Sequence, residues 1–222
     1  MILQRLGNKN RIASTIINTF PKHNVYIEPF FGAGGLYFNK QKSLHNLLND
    51  IDDDVFNLWD VFIRKNSELI EKIESMPITK SLFDYWIKNK ETDEVMKALR
   101  FLMLSNFSIY GTSSTFHMSV GNTKNILIQK FFGSKNILDD SIFSNYDFRE
   151  FYKSISWGRI YKENNFTVLS YNDPPYLGTS DNYSHSFTEQ DSFDLFEINC
   201  QKAKEYPSKY FFAMSDAYSV SG

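Results

Sequence analysis

Asn172-Asp173-Pro174-Pro175-Tyr176 is the run in this sequence whose residue types most directly suggest chemistry. Two consecutive prolines fix φ twice and remove two backbone donors. The Asp173 carboxylate and the Pro174 carbonyl are therefore expected to stand as a rigid pair of acceptors. Such a pair suits an exocyclic amino group, which offers two N–H donors. Tyr176 supplies a flat ring on which a base can stack. Taken alone, the run reads equally well as a Pro-rich turn leaving a strand. Its weight rises because a Gly turn and a distant acid precede it in order. Phe30-Phe31-Gly32-Ala33-Gly34-Gly35 follows a β-prone run, where glycine lets a ligand approach the backbone closely. Asp50 lies near the spacing of about 20 residues expected of an acid that holds a ribose hydroxyl pair. Gly32 and Asp50 point to an adenosine-containing cofactor, and leave nicotinamide dinucleotides and S-adenosylmethionine both open. A plain strand-to-helix turn with a solvated Asp accounts for this pair about as well.

These residues need elements to position them. Val25-Tyr26-Ile27 is a short strand stopped by Pro29, and Leu36-Tyr37-Phe38 is placed to open a helix after the Gly turn. A second strand, Leu44 to Leu48, ends at Asn49-Asp50-Ile51-Asp52. Asp52, Asp53 and Asp54 are placed to cap a helix through Val55, Leu58, Trp59 and Phe62. The opening thus reads as one βαβ unit. From about Ser67 to Tyr110 the pattern is helical, with Val95, Met96, Leu99, Leu102 and Met103 at i, i+3, i+4 spacing. Ser105 to Lys124 turns polar and loop-like. Strand candidates return at Ile142-Phe143, Phe166 to Leu169 and Tyr210 to Met214, with a helix from about Glu189 to Tyr206. The expected fold is α/β: a doubly wound, Rossmann-like sheet with a mainly helical insertion. Residues 1–60 and 141–222 are expected to form the catalytic domain and 61–140 the insertion.

Composition sets the outer limits. The 222 residues include 42% hydrophobic and 17% aromatic side chains, enough for a packed core, which excludes a disordered or collagen-like chain. Cys200 has no partner for an internal disulfide, which fits a reducing compartment. It reads as a small buried apolar residue. No apolar run approaches the ~18 residues of a membrane span, and the N-terminal residues lack the apolar stretch of a signal peptide. A soluble, cytoplasmic protein with no membrane partner is expected. The four His show no metal-ligand spacing, so no metal is expected. A net charge of −2 excludes a uniformly basic surface, so a nucleic-acid partner requires positive charge gathered on one face.

Taken jointly, the motifs resemble those of the Dam-type, alpha-group adenine methyltransferases of DNA, which use S-adenosylmethionine. In that group the cofactor motif comes first, then a target-recognition region, then Asp-Pro-Pro-Tyr. This chain shows Leu6-Gly7-Asn8-Lys9, Glu28-Pro29-Phe30-Phe31-Gly32-Ala33-Gly34, Asn49-Asp50-Ile51, Asp147-Phe148 and Asp173-Pro174-Pro175-Tyr176 in that order. Phe211-Phe212-Ala213-Met214-Ser215 looks like the strand that follows. The resemblance implies transfer of a methyl group to the N6 amine of adenine in double-stranded DNA after the base leaves the stack. It implies Lys9 near the methionine end of the cofactor, and Phe31, Gly32 and Gly34 in the turn beneath it. Asp50 would take the ribose hydroxyls and Ile51 would pack on the cofactor adenine. Asp147 and Phe148 would border that adenine, and Asp173 would touch both the cofactor pocket and the target amine. Asp173, Pro174, Pro175 and Tyr176 would form the catalytic motif.

Two departures qualify the resemblance. An aromatic residue usually stands four positions before the Lys, where this chain has Arg5. The family also continues past the strand near Met214 with a helix and a strand pair, whereas this sequence stops at Gly222, which is expected to weaken activity. The alternatives are a cytosine or RNA amino-methyltransferase, a nicotinamide oxidoreductase, and a turnover-deficient nucleic-acid-binding relative. Ser usually replaces the Asp in the cytosine enzymes, so Asp173 favours adenine. In the insertion, Arg100, Lys124, Lys130 and Lys135 are candidates to neutralise phosphates, and Asn106, Ser113, Ser114, Asn122 and Asn125 to read base edges. A solvated helical face explains any single one of them as well. A restriction endonuclease in the same system is a further expected partner, though no residue here supplies physical evidence for it.

Overall fold

The computed structural model describes residues 2–5, 7–111, 113–118, 123–134, 137–176 and 187–215. In chain order its helices and strands are α1 (Ala13–Ile17), β1 (Val25–Glu28), β2 (His45–Asn49), α2 (Asp53–Arg64), α3 (Asn66–Ser75), α4 (Lys80–Lys88), α5 (Glu94–Asn106), α6 (Lys124–Ser134), β3 (Ser141–Ser144), α7 (Phe148–Ser154), β4 (Val168–Asn172), α8 (Glu189–Glu205) and β5 (Tyr210–Met214). They fall into two compact units. One takes in the described residues of Thr15–Phe31, Gln41–Asp52 and Asp140–Gly222, and the other those of Met1–Ser14, Gly32–Lys40 and Asp53–Asp139. The helical unit therefore includes, beside 61–139, three stretches that the sequence groups with the catalytic domain: 1–14, 32–40 and 53–60.

The first unit holds a five-stranded sheet in the order β3-β2-β1-β4-β5, with every pairing parallel. This is the doubly wound α/β architecture. Central β1 and β4 are buried at every position, as strands covered on both faces must be. On one face Val25, Ile27, Val168 and Tyr210 pack with Phe148, Phe151, Tyr152 and Ile155 around α7 and with Leu195 of α8. Burying each such side chain contributes about 1.5–3 kcal/mol. On the other side the rings of Tyr26 and Tyr171 meet Phe20, and His23 lies beside Tyr26. Strand order runs outward from β1 to β3, then restarts at β4 on the opposite side of β1. The reversal between β1 and β4 is where doubly wound sheets open a crevice at their carboxyl ends.

In the second unit α5 packs against α2, α3 and α4. Its apolar stripe of Val95, Ala98, Leu99, Leu102 and Met103 is buried, and Asp93 caps it by accepting from the Met96 amide at 2.9 Å. A run of ring contacts links Phe38, Trp59, Phe62 and Phe131.

The structure departs from the sequence reading in several places. The helical stretch expected over 67–110 is three helices, and α5 runs on through Asn106, inside the expected loop. The strand expected from Phe166 starts at Val168; the Thr167 amide before it donates to the Asn24 side-chain oxygen at 3.0 Å and not to a strand carbonyl. The helix expected at Leu36 is a single 3-10 turn, Tyr37–Asn39. Leu36 offers no side-chain cap, and Asn39 donates back to the Gly35 carbonyl at 2.7 Å and to Asn10 Oδ1 at 2.8 Å, closing the segment. Gly35 is needed there for space. A Cβ on it would collide with Asn8 Oδ1 and stand 3.1 Å from the Asn10 amide nitrogen and 3.2 Å from that of Lys9. Asn8 Oδ1 is the cap of the 3-10 turn Lys9–Arg11, accepting from the Asn10 amide at 2.9 Å.

Gly35→Ala should therefore uncap that turn and destabilise the protein by about 1 kcal/mol, the usual value of an N-cap. Thermal melts should show a fall of about 2–4 °C. An unchanged melting temperature would mean that Asn8 swings aside without loss.

Candidate active site

The carboxyl ends of β1, β2, β3 and β4 lie along one edge of the sheet, and most of the candidate residues follow directly from them. Asn172 ends β4, and Asp173, Pro174, Pro175 and Tyr176 leave the strand in sequence. Pro174 is buried, while Asp173, Pro175 and Tyr176 are half-buried. β5 holds this exit in place. The Ser215 amide donates to the Asn172 carbonyl at 2.9 Å, one step beyond the Asn172–Met214 register pair. The Ser215 hydroxyl donates to Asp173 Oδ1 at 2.5 Å. No sequence motif marks Ser215 for this contact, which depends on the β4–β5 register.

Glu28, the last residue of β1, is also at this edge and is only 3% exposed. Tyr26 donates its hydroxyl to Glu28 Oε2 at 3.0 Å. The β1–β4 register pairs Ile27 with Ser170, which sets Glu28 level with Tyr171. Burial first, then the charges of Asp173, Glu28 and Tyr176, push the Tyr171 hydroxyl above its ordinary pKa. Among the described residues, the buried Tyr171 hydroxyl finds no hydrogen-bond partner. Two carboxylates, Glu28 and Asp173, thus flank the reversal of strand order. The sequence motif that contains Glu28 gives it no role, although a charged residue closing a buried strand is a visible signal.

Asn49 joins the neighbouring strand ends. Its Nδ2 donates to the Pro29 carbonyl at 3.1 Å and the Tyr146 carbonyl at 2.9 Å. Its Oδ1 accepts from Ser144 Oγ at 2.8 Å and the Tyr146 amide at 2.9 Å. Phe31 is held to β2 by its amide on the Asn49 carbonyl, and its ring meets Phe143 edge-on. Asp50 is 9% exposed, and its Oδ1 accepts from the Asp52 amide at 3.0 Å, fixing the turn that carries Ile51. Asp147 caps α7 through the Arg149 amide, and buried Phe148 packs against Phe30 and Phe187. Arg149 lies over the Phe148 ring at 4.3 Å and clamps α8 through Asp191 at 2.5 Å and Asp194 at 2.6 Å.

Phe31, Asp50, Ile51, Asp147, Phe148 and Asp173–Tyr176 therefore all belong to the sheet unit and its carboxyl edge. Lys9, Gly32 and Gly34 belong to the helical unit. Lys9 Nζ donates to the Gly7 carbonyl at 3.1 Å. Gly32 has φ +51°, and a Cβ added to it would meet nothing within 4 Å, so its requirement for glycine is conformational and the space beside it is open. The Gly32 carbonyl accepts from Trp59 Nε1 at 2.8 Å. Gly34 has φ +65°.

Several of the expected nucleic-acid contacts have partners within the protein. Asn106 is 3% exposed and donates to the Ile2 and Leu102 carbonyls, so it is not placed to read a base. Arg100 Nε donates to the Trp86 and Asn89 carbonyls at the end of α4, each at 2.9 Å. Lys124 Nζ donates to the Glu74 carbonyl at 2.9 Å. Burial lowers the pKa of Lys130. Ser113 donates its amide to Ser108 Oγ, while Ser114 and Asn125 are exposed. Leu6, Asn122 and Lys135 lie outside the described residues. Among the described residues no cluster of three or more His, Cys, Asp or Glu gathers as metal ligands, and no helix is long and apolar enough to cross a membrane.

Comparison with known proteins adds a chemical class. Residues 6–219 match the family described as D12 class N6 adenine-specific DNA methyltransferase. A DNA adenine methylase of Vibrio cholerae serotype O1 (strain El Tor Inaba N16961) is 23% identical over 220 residues, covering 91% of this chain and 76% of that protein. The DNA adenine methylase of Escherichia coli K12 is 27% identical over 115 residues, covering 49% of this chain and 41% of its own. That of Haemophilus influenzae Rd is 29% identical over 117 residues with the same coverage.

The Arg149 clamp makes stability depend on pH. Partial burial acts to raise the Asp191 pKa, but hydrogen bonds from Thr188 and Arg149 outweigh it and hold the carboxyl below its ordinary value. A depressed folded pKa contributes stability above the unfolded value, near 3.8, which is lost as pH falls through the folded one. Arg149→Gln should melt about 2–4 °C below the wild type at pH 7, as expected for a loss near 1 kcal/mol. The gap should close in melts run well below pH 3.8. A gap that persists there would assign the loss to packing on Phe148.

Proposed function

We propose a methyl donor and a mechanism from one premise: the chain belongs to the family of D12 class N6 adenine-specific DNA methyltransferases. It is an enzyme of adenine-specific DNA methylation, and its DNA substrate follows from that class. The donor we propose is S-adenosylmethionine. The observation that carries the reading is Asp173-Pro174-Pro175-Tyr176 at the carboxyl end of β4, beside the reversal of strand order, with Asp50 immediately after β2 on the same edge.

The residues suit that donor. Asp50 is a carboxylate at a strand end fitted to a ribose hydroxyl pair, with Ile51 and Phe148 as apolar neighbours for its adenine. Phe31, Gly32 and Gly34 would line the turn beneath it, Lys9 its methionine end, and Asp147 the border of its adenine. Glu28 and Asp173 provide negative charge for a cationic donor. When bound, the donor supplies an electrophilic sulfonium methyl group. The adenine amine is a poor nucleophile because its lone pair is delocalised into the ring. The Asp173 carboxylate and the Pro174 carbonyl would accept hydrogen bonds from its two N–H groups, which favours a pyramidal nitrogen with its lone pair directed at the methyl. As the N–C bond formed, the methyl–sulfur bond would break, S-adenosylhomocysteine would leave, and one amine proton would be lost by way of the Asp173 carboxylate. Pro175 stiffens the exit, and Tyr176 stacks on the base. Rate enhancement on this reading comes from positioning and oriented dipoles. The base must leave the duplex stack at a cost of about a few kcal/mol. Residues 1–60 and 141–222 would form the catalytic domain, and the insertion at 61–140 would read the target, using exposed residues such as Asn125 in place of buried Asn106.

Tritiated-methyl transfer to double-stranded DNA, single-stranded DNA and RNA, followed by nucleoside analysis, tests this reading. Label in N6-methyladenine from double-stranded DNA is expected. Label in N4-methylcytosine, or in RNA alone, would overturn it. Asp173→Ala should abolish transfer in a protein that stays folded, and near-native single-turnover rates would remove Asp173 from the mechanism. Asp50→Ala should weaken S-adenosylhomocysteine binding in calorimetry by about 1–3 kcal/mol.

Tyr176 separates stacking from acid–base chemistry. An aromatic face returns ~1–3 kcal/mol of base stacking. Tyr176→Phe should keep most activity and Tyr176→Ala should lose much of it. If the Phe variant is as inactive as the Ala variant, the hydroxyl has a chemical role and the stacking account fails.

A further inference from the structure

Directly behind the β4 exit lies a polar cluster in an otherwise apolar core. Tyr152 of α7, Ser170 and Asn172 of β4, Asn199 of α8 and Tyr210 of β5 are each no more than 3% exposed. The Tyr152 hydroxyl is 2.6 Å from Ser170 Oγ and donates to Asn172 Oδ1 at 2.9 Å. Tyr210 donates to Asn199 Oδ1 at 2.6 Å, and Asn199 Nδ2 is anchored on the Leu195 carbonyl at 2.8 Å. Asn172 Nδ2 reaches Asn199 Oδ1 at 3.4 Å and the Ala213 carbonyl at 3.3 Å. Two helices and two strands thus converge on the side chain of one residue, and that residue is joined by a peptide bond to Asp173.

A buried polar group costs stability unless satisfied, and an apolar cluster of the same shape is generally at least as stable. What a fully bonded network adds is rigidity and a unique arrangement. Here that rigidity has a specific object. Ser170 and Asn172 are two apart in a strand and so share a face. Clamping both fixes the direction in which β4 delivers its next residue. Ser215 holds the other end, bonding the Asn172 carbonyl and the Asp173 carboxylate. Burial raises the pKa of Tyr152, and that of Tyr210 stands well above the ordinary value, so both hydroxyls remain donors at any practical assay pH.

We propose that Tyr152, Asn199 and Tyr210 are positioning residues for methyl transfer, acting through the side chain of Asn172 to aim the Asp173–Pro174 acceptor pair. The inference rests on the reading of Asp173 given above. Displacement of a reacting group by about 1 Å can cost a hundredfold in rate. Tyr152→Phe keeps the ring and removes the donor to Asn172. Its single-turnover transfer rate on unmethylated duplex DNA should fall tenfold or more, while S-adenosylhomocysteine affinity stays within twofold. Tyr210→Phe, which leaves Tyr152 and its bond to Asn172 in place, should fall by less. Ile155→Val, in the same core but outside the network, is the control for lost stability. All are assayed at a temperature where melts show each protein folded. If Tyr152→Phe is not recovered folded, Tyr210→Phe decides. A rate unchanged in the decisive variant, or a fall matched by Ile155→Val, overturns the proposal and leaves the network a stabilising feature alone. Absence of transfer by the wild type would instead overturn the reading of Asp173, so the two failures are distinguishable.

Discussion

The pairing of β1 with β4 is the constraint on which the rest of this structure depends. β1 is buried at every position and is bonded on one side to β2 and on the other to β4. Because both pairings are parallel, the strands end on the same edge. Because the strand order reverses between β1 and β4, no crossover covers the gap there. Glu28 and Asp173 flank it as a direct consequence of register. Neither needs a dedicated loop to bring it there. The chemistry proposed for this edge therefore rests on hydrogen bonding in the sheet, and residues remote in sequence become neighbours through strand alignment.

Side chains then refine what the sheet begins. Asn49 is a short amide that bonds the exits of β1 and β3 from the end of β2. Arg149 couples the start of α7 to the start of α8 through two aspartates. Ser215 binds the β4 exit to β5. Each spans elements that the chain itself connects only through long detours. Backbone geometry places the ends roughly, and a few polar side chains remove the remaining freedom.

Legibility from sequence follows the range of the interactions. β5 is readable over its full length, Tyr210–Met214, because an aromatic run suits a pleated surface and little else. α8 is readable at its start because Thr188 and Asp191 form a capping box. The motif residues on the sheet edge are readable because their order and spacing are local properties. Asn106 misleads for the opposite reason, and the bonds made by Arg100 and Lys124 are equally unreadable. Their partners are main-chain carbonyls whose proximity depends on tertiary packing, and a polar side chain in a sequence does not reveal which carbonyl it will find. Leu36 fails as a helix start because Gly35 is tied to a close approach by Asn8, which no periodicity encodes. Glu28, Ser215 and Asn199 escape a sequence reading because their significance lies in register.

The separation between the two halves of the sheet also bears on how the chain is made. Thr167 bonds Asn24 across 143 positions, and β1 meets β4 at the same distance. At a synthesis rate of about 5–20 residues per second, β1 exists for roughly 7–30 s before β4 can reach it. Throughout that interval one whole side of Val25–Glu28 lacks its partner strand, while the local contacts of α2 to α5 are available almost as soon as those helices emerge. The order of events is set by topology: early helices, late sheet. A strand that is buried at every position in the finished protein is half-unpartnered in the nascent one, and its completion waits on the same segment that delivers Asp173.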